Sequence, residues 1–166
     1  MSRLLERLRE YKDDRGMMAN LRYVHVESKR HRAWPALNRL GVPIDDNVST
    51  LLAGLFATHP EESSTGNFGN TCKAIEQRRG DKRSVDNKLT PTERHFQHLL
   101  SAETEAELHD RILRMVLMAK SQGVPVNYAK LETHLKSWRK PTERTKSEWA
   151  TAFWVQEASP TEENAI

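Results

Sequence analysis

The chain has 166 residues, 37% hydrophobic and 30% charged, with 26 Lys/Arg against 23 Asp/Glu and a sequence pI near 9.1. That is too polar for a membrane protein, and the aliphatic and aromatic residues are spaced too regularly for a disordered one. No apolar run approaches the roughly 20 residues a bilayer needs; the charged start Met1-Ser2-Arg3-Leu4-Leu5-Glu6 argues against a secretory signal, and a lone cysteine, Cys72, fits a reducing cytoplasm.

In chain order, helix signals dominate. Leu4, Leu8 and Tyr11 recur at helical spacing before Asp13-Asp14-Arg15-Gly16 interrupts them, and a second short helix is predicted from Met17 to about Val26. Pro35 suits the first turn of a third, where its missing N–H costs nothing. Trp34, Leu37 and Leu40 are expected to share its inward face until Gly41-Val42-Pro43 stops it. Asp46 or Asn47 caps the next helix, whose Val48, Leu51, Leu52, Leu55 and Phe56 form a buried stripe. The polar, glycine-punctuated stretch from His59 to Asn70 reads as an exposed loop. Asn70 is expected to cap a short helix from Thr71 to about Arg79, with a second loop from Gly80 to Leu89.

Beyond residue 90 the signals sharpen. Thr90-Pro91-Thr92-Glu93 is a complete capping box, and Thr104-Glu105-Ala106-Glu107 repeats it. The second box opens a long helix with Leu108, Ile112, Val116 and Ala119 inward, ended by Gly123 and Pro125. Asn127 caps the next, where Tyr128, Leu131, Leu135 and Trp138 step by three and four. Pro141 breaks it, and a last helix carries Trp149, Ala152, Phe153 and Trp154. The expected fold is all-α: about eight helices in a compact bundle, read as two packed helical subdomains over 1–89 and 90–158, with a disordered tail over 159–166.

No catalytic constellation emerges. His95 and His98 stand three apart on one helix, but no cysteine partner and no HExxH pattern accompany them, so phosphate hydrogen bonding outranks metal. Gly66 to Lys73 superficially suggests a phosphate loop, yet it lacks the Gly-Lys-Ser/Thr ending and a preceding strand. Cys72 has no recognisable His-Asp partner, and the paired carboxylates sit where capping and solvation explain them. We expect no enzyme activity, no cofactor and no bound metal.

The basic residues say more. Residues 1–89 hold 16 Lys/Arg against 12 Asp/Glu, and the excess gathers at Arg22 to Arg39, Lys73 to Lys88 and Lys136 to Lys146. On helices, Arg94, Arg111, Arg114, Lys120 and Lys136 alternate with inward apolar residues and so face solvent or a partner. Arginine forks match phosphate oxygens, and a surface that neutralises several phosphates binds backbone irrespective of sequence. The competing reading is a helical protein–protein adaptor whose charge only solubilises it; a metal- or nucleotide-dependent enzyme is a third.

From residue 90 the ordered motifs resemble the small subunit of the type I-E CRISPR Cascade surveillance complex, the CasB family. The matching elements are Glu93-Arg94-His95-Phe96-Gln97-His98-Leu99-Leu100, Leu108-His109-Asp110-Arg111-Ile112-Leu113, Val124-Pro125-Val126-Asn127-Tyr128, Leu131 to Trp138, and Trp149-Ala150-Thr151-Ala152-Phe153-Trp154. Upstream, Gly16-Met17-Met18-Ala19-Asn20-Leu21-Arg22 resembles the family's Gly-x-x-Ala-x-Leu-Arg segment. His95 and His98 stand where arginine is common in the family, and Asn127 replaces an aspartate cap. The resemblance implies a non-enzymatic helical protein that sits as a pair of copies in a guide-RNA complex, beside its backbone and large subunits. There it would contact CRISPR RNA, target DNA and the displaced strand through sugar–phosphate backbone. Arg22, Arg94 and Arg111 carry over as contacts by the motif match. Lys73, Arg114, Lys136, Arg139 and Arg144 join them on charge and expected facing.

Overall fold

The computed structural model describes residues 2–82, 86, 88–138 and 142–154. These contain nine α-helices: α1 (Arg3–Glu10), α2 (Arg15–Arg22), α3 (Trp34–Arg39), α4 (Asn47–Thr58), α5 (Phe68–Arg79), α6 (Pro91–Leu100), α7 (Glu105–Gln122), α8 (Tyr128–Lys136) and α9 (Thr142–Trp154). Two 3-10 segments, Tyr23–His25 and Glu27–Ala33, join α2 to α3. The only β feature among the described residues is one parallel bridge between Glu62 and Val126. The expected tail from Ser159 lies outside the described residues.

Side-chain caps start most of the helices. Ser2, Asp14, Asp46, Thr104 and Asn127 each accept a backbone N–H from the first turn, satisfying donors with no helical partner. Gly80 and Gly123 end α5 and α7 in the left-handed conformation, at φ 69° and 67°, which a side chain would strain.

Four local expectations need correction. The second helix stops at Arg22, and the chain tightens into 3-10 turns through His25 instead of reaching Val26 in α form. The cap of α5 is Asn67, not Asn70: Asn67 accepts from the N–H groups of Gly69 and Asn70, while the Asn70 side chain accepts from the Asn67 N–H. This reciprocal box draws Phe68 and Gly69 into the helix, so the end of the predicted loop is buried, as is His59. Trp34 is 44% exposed while Leu37 and Leu40 are buried. At 100° per residue, positions i, i+3 and i+6 drift around the axis, and the inward face centres on Ala33, Ala36, Leu37 and Leu40.

Helix α4 is the axis of the core, buried continuously from Leu51 to Thr58 and packed by α1, α2, α7 and α8. Gly54 lets the first 3-10 segment approach, since a Cβ there would lie 2.1 Å from Val24 Cγ2. Around α9 an aromatic cluster closes the other end: Phe153 stacks on Phe96 at 4.5 Å, and Trp149 touches Phe68 and Trp138. One buried hydrophobic cluster runs from Leu5 to Phe153 and draws on both halves of the chain. No described helix is long and apolar enough to cross a membrane.

Candidate nucleic-acid interface

Helices α5, α6 and α7 pack against one another and bring together cations from all three. The start of α6 is fixed by its capping box: Thr90 Oγ1 accepts from the Glu93 N–H at 3.0 Å, and Glu93 Oε1 accepts from the Thr90 N–H at 3.1 Å. Glu93 is buried, and its other oxygen accepts from Trp154 Nε1 at 2.9 Å, which pins α9 across α6. Thr90 Oγ1 also donates to Glu76 on α5, and Asp81, just past α5, accepts from the Thr92 N–H and hydroxyl. With these acids occupied on the inner side, α6 presents Arg94, His95 and His98 outward.

Arg94 on α6 and Arg114 on α7 are exposed, and neither has a hydrogen bond or ion pair among the described residues. Arg79, in the last turn of α5, pairs with Asp81 at 3.4 Å. All three stand close enough to act electrostatically on His95. Partial burial lowers the His95 pKa, and the positive fields of Arg114, Arg79, His98 and Arg94 lower it further. Arg79, Arg94 and Arg114 thus stand near His95 on three helices that pack together.

Arg111 is placed differently. Its Nη1 donates to the His98 carbonyl at 3.0 Å and to Ser101 Oγ at 3.1 Å, and its Nη2 pairs with Glu107 at 2.9 Å. Arg111 thus ties α7 to the end of α6 and flanks the patch. The remaining named cations are dispersed. Arg22 donates to the Ala57 carbonyl at the end of α4. Lys73 pairs with Glu76 and lies over the Phe153 ring. Lys136 pairs with Glu132 at 3.8 Å, and Arg144 with Glu148 at 3.3 Å. Arg139 lies outside the described residues.

Of the residues named from sequence, the fold brings together Arg94 and Arg114, with Arg111 at their edge. Arg79 is missing from the sequence-based set, although it falls in the basic stretch Lys73 to Lys88. Its neighbour Arg78 donates to the carbonyls of Gln122 and Gly123, completing the C-terminus of α7. Nothing in a one-dimensional pattern separates these two adjacent arginines. Among the described residues, no group of three or more His, Cys, Asp or Glu side chains is arranged to hold a metal. Cys72 is fully buried, and burial pushes its thiol pKa well up.

The profile of a family described as CRISPR-associated protein Cse2 matches residues 7–154. Solved structures with the same fold include a Cse2-family CRISPR-associated protein from Thermus thermophilus, 18% identical with a TM-score of 0.70 over 92% of this chain and 94% of that one. CasB from Thermobifida fusca is 17% identical, with a TM-score of 0.67 over 90% of this chain and 94% of that one. CasB from M. ruber is 21% identical, with a TM-score of 0.67 over 100% of this chain and 98% of that one. No curated relative matches the sequence.

Proposed function

The chain belongs to the CRISPR-associated Cse2 family, and from that premise we propose that it is the non-catalytic small subunit of a type I-E Cascade complex, binding nucleic-acid backbone without sequence preference. In this reading it acts in the cytoplasm beside the backbone and large subunits, a second copy of itself, CRISPR RNA and target DNA. It stabilises the guide–target hybrid and the displaced strand.

The observation that carries the proposal is the convergence of Arg94 and Arg114, both without an internal partner among the described residues, with Arg79, His95 and His98 on one three-helix face. Exchange of a DNA duplex for an RNA–DNA hybrid is nearly balanced, so a few backbone contacts suffice to tip it. Arg94 and Arg114 lead these contacts, and Arg111 holds the helices that present them. Arg22, Lys73, Lys136 and Arg144 make only weak, secondary contacts, because each must first leave the partner it holds in the free protein, and Arg139 joins them on charge.

Filter binding of a single strand and a duplex at low salt tests this. Arg94→Glu with Arg114→Glu is expected to abolish retention, whereas Arg144→Glu, at a cation already paired with Glu148, weakens it far less. Equal binding by all three proteins would refute the proposal. The adaptor reading draws support from the internal pairing of Lys73, Lys136 and Arg144. It wins if the double reversal blocks assembly with the other subunits while leaving the DNA affinity of whatever complex forms unchanged.

A further inference from the structure

Beside the second 3-10 segment, a cleft of about 530 Å³ opens between α3, α4, the start of α7 and the end of α8. That volume lies within the range typical of small-ligand sites, about 300–1,000 Å³. One wall is the half-exposed indole of Trp34, with Leu37, Val48 and the exposed Ile44 completing an apolar surface. An indole left open at the lip of a cleft offers a flat aromatic face on which a planar ligand can stack.

Charges of both signs line the cleft, Arg30 and Lys136 among the cations. Arg30 Nε is held by the Val24 carbonyl at 2.9 Å, and His31 stands edge-on to Trp34 at 6.4 Å. These belong to the run Lys29-Arg30-His31-Arg32, all exposed. Glu103 and Glu105 also line the cleft, and Glu105 accepts from Asn47. Thr50, also lining the cleft, has a buried Oγ1 with no hydrogen-bond partner.

We infer that this cleft receives one unpaired nucleobase, stacked on Trp34 with its phosphate at Arg30. The inference rests on the proposed function and specifies the state of the strand. A stacked base fits an apolar slot of this size whatever its identity, because every base has a π-face. Cations at the entrance hold the phosphate. Glu103 and Glu105 accept hydrogen bonds from the base's N–H groups. A duplex has no free base face to offer. The cleft therefore selects single strands, while the Arg94–Arg114 face binds either form.

The test uses the full chain, a thymidine oligonucleotide of about 20 residues and a duplex of the same length. Trp34→Ala is expected to weaken single-strand binding about 5-fold or more, the lower bound for loss of one aromatic–base stack. Trp34→Phe restores most of it, and duplex affinity stays within about 2-fold. Ultraviolet crosslinking of a bromodeoxyuridine-substituted strand is expected to attach to the peptide containing Trp34.

Unchanged single-strand affinity in Trp34→Ala overturns the inference while leaving the proposed function standing. Equal loss on strand and duplex also overturns it, since Trp34 would then act through folding. Release of Trp34→Ala from the assembled complex with intact strand binding assigns the cleft to a protein partner and overturns it too. Failure of the unaltered protein to bind either nucleic acid refutes the proposed function itself.

Discussion

Arg111 and Arg114 sit three positions apart on α7, yet one is engaged by the fold and the other is not. Arg111 is held by a helix-terminal carbonyl, a cap hydroxyl and Glu107. Arg111→Ala is expected to destabilise the protein by about 0.5–1.5 kcal/mol, the net worth of surface hydrogen bonds and an exposed ion pair whose acceptors water can meet, whereas Arg114→Ala leaves urea stability nearly unchanged. A second residue-scale prediction concerns His25 and His109, whose Nδ1 and Nε2 lie 2.8 Å apart. The Thr58 hydroxyl donates to the Gly54 carbonyl, so its oxygen accepts from His25 Nε2. His25 Nδ1 is then the acceptor and His109 Nε2 the donor, and the pair is neutral. Burial, then the neighbouring His25 and Arg30, lower His109 to about 4, and burial lowers His25 as well. Below pH 6.5 the unfolded chain therefore binds protons that the folded one refuses. Stability is full above that pH and falls between about 6.5 and 4, by on the order of 2 kcal/mol for His109 after allowing for its partial exposure. Urea midpoints across that range check it, and His109→Gln should flatten the slope.

At the scale of elements, the contact between α5 and α9 depends on one missing side chain. A Cβ at Gly69 would lie 2.1 Å from the Trp149 carbonyl oxygen, which is backbone and has no rotamer to escape into. Gly69→Ala is expected to cost about 1–3 kcal/mol in urea unfolding, as overpacking does. The helices themselves are legible wherever capping chemistry and periodicity agree, as at Thr90-Pro91-Thr92-Glu93 and along Leu108 to Ala119. The signals mislead where two caps compete within a few residues. Asn67 and Asn70 are equally good cap residues, and the choice between them is made by Gly69 and Phe68 docking on Trp149. Trp34 misleads for a related reason, since a six-residue helix is too short for spacing to define its inward face. Tertiary packing decides such cases, and a local pattern does not contain it.

Across the whole molecule, the all-α architecture is readable because nearly every long periodic segment has helical spacing and a cap. The charged face is readable only in part. Sequence shows that a cation faces outward, but not which cations from separate helices the fold brings together. Lys73, Lys136 and Arg144 meet acids three or four positions away, and such exposed pairs are individually weak. Arg94 and Arg114 meet none among the described residues, and they become neighbours of Arg79 only because α5, α6 and α7 pack together. The Arg94–Arg114 surface is thus a local patch, set apart from the paired Lys73, Lys136 and Arg144. The salt dependence of single-strand binding tests this most directly, because each phosphate neutralised contributes about 0.7 to the slope of log affinity against log salt. Arg94→Gln with Arg114→Gln is expected to reduce that slope by between about 1 and 2, with Lys136→Gln and Arg144→Gln changing it far less. An unaltered slope in the first variant, or an equal reduction in both, would contradict the account.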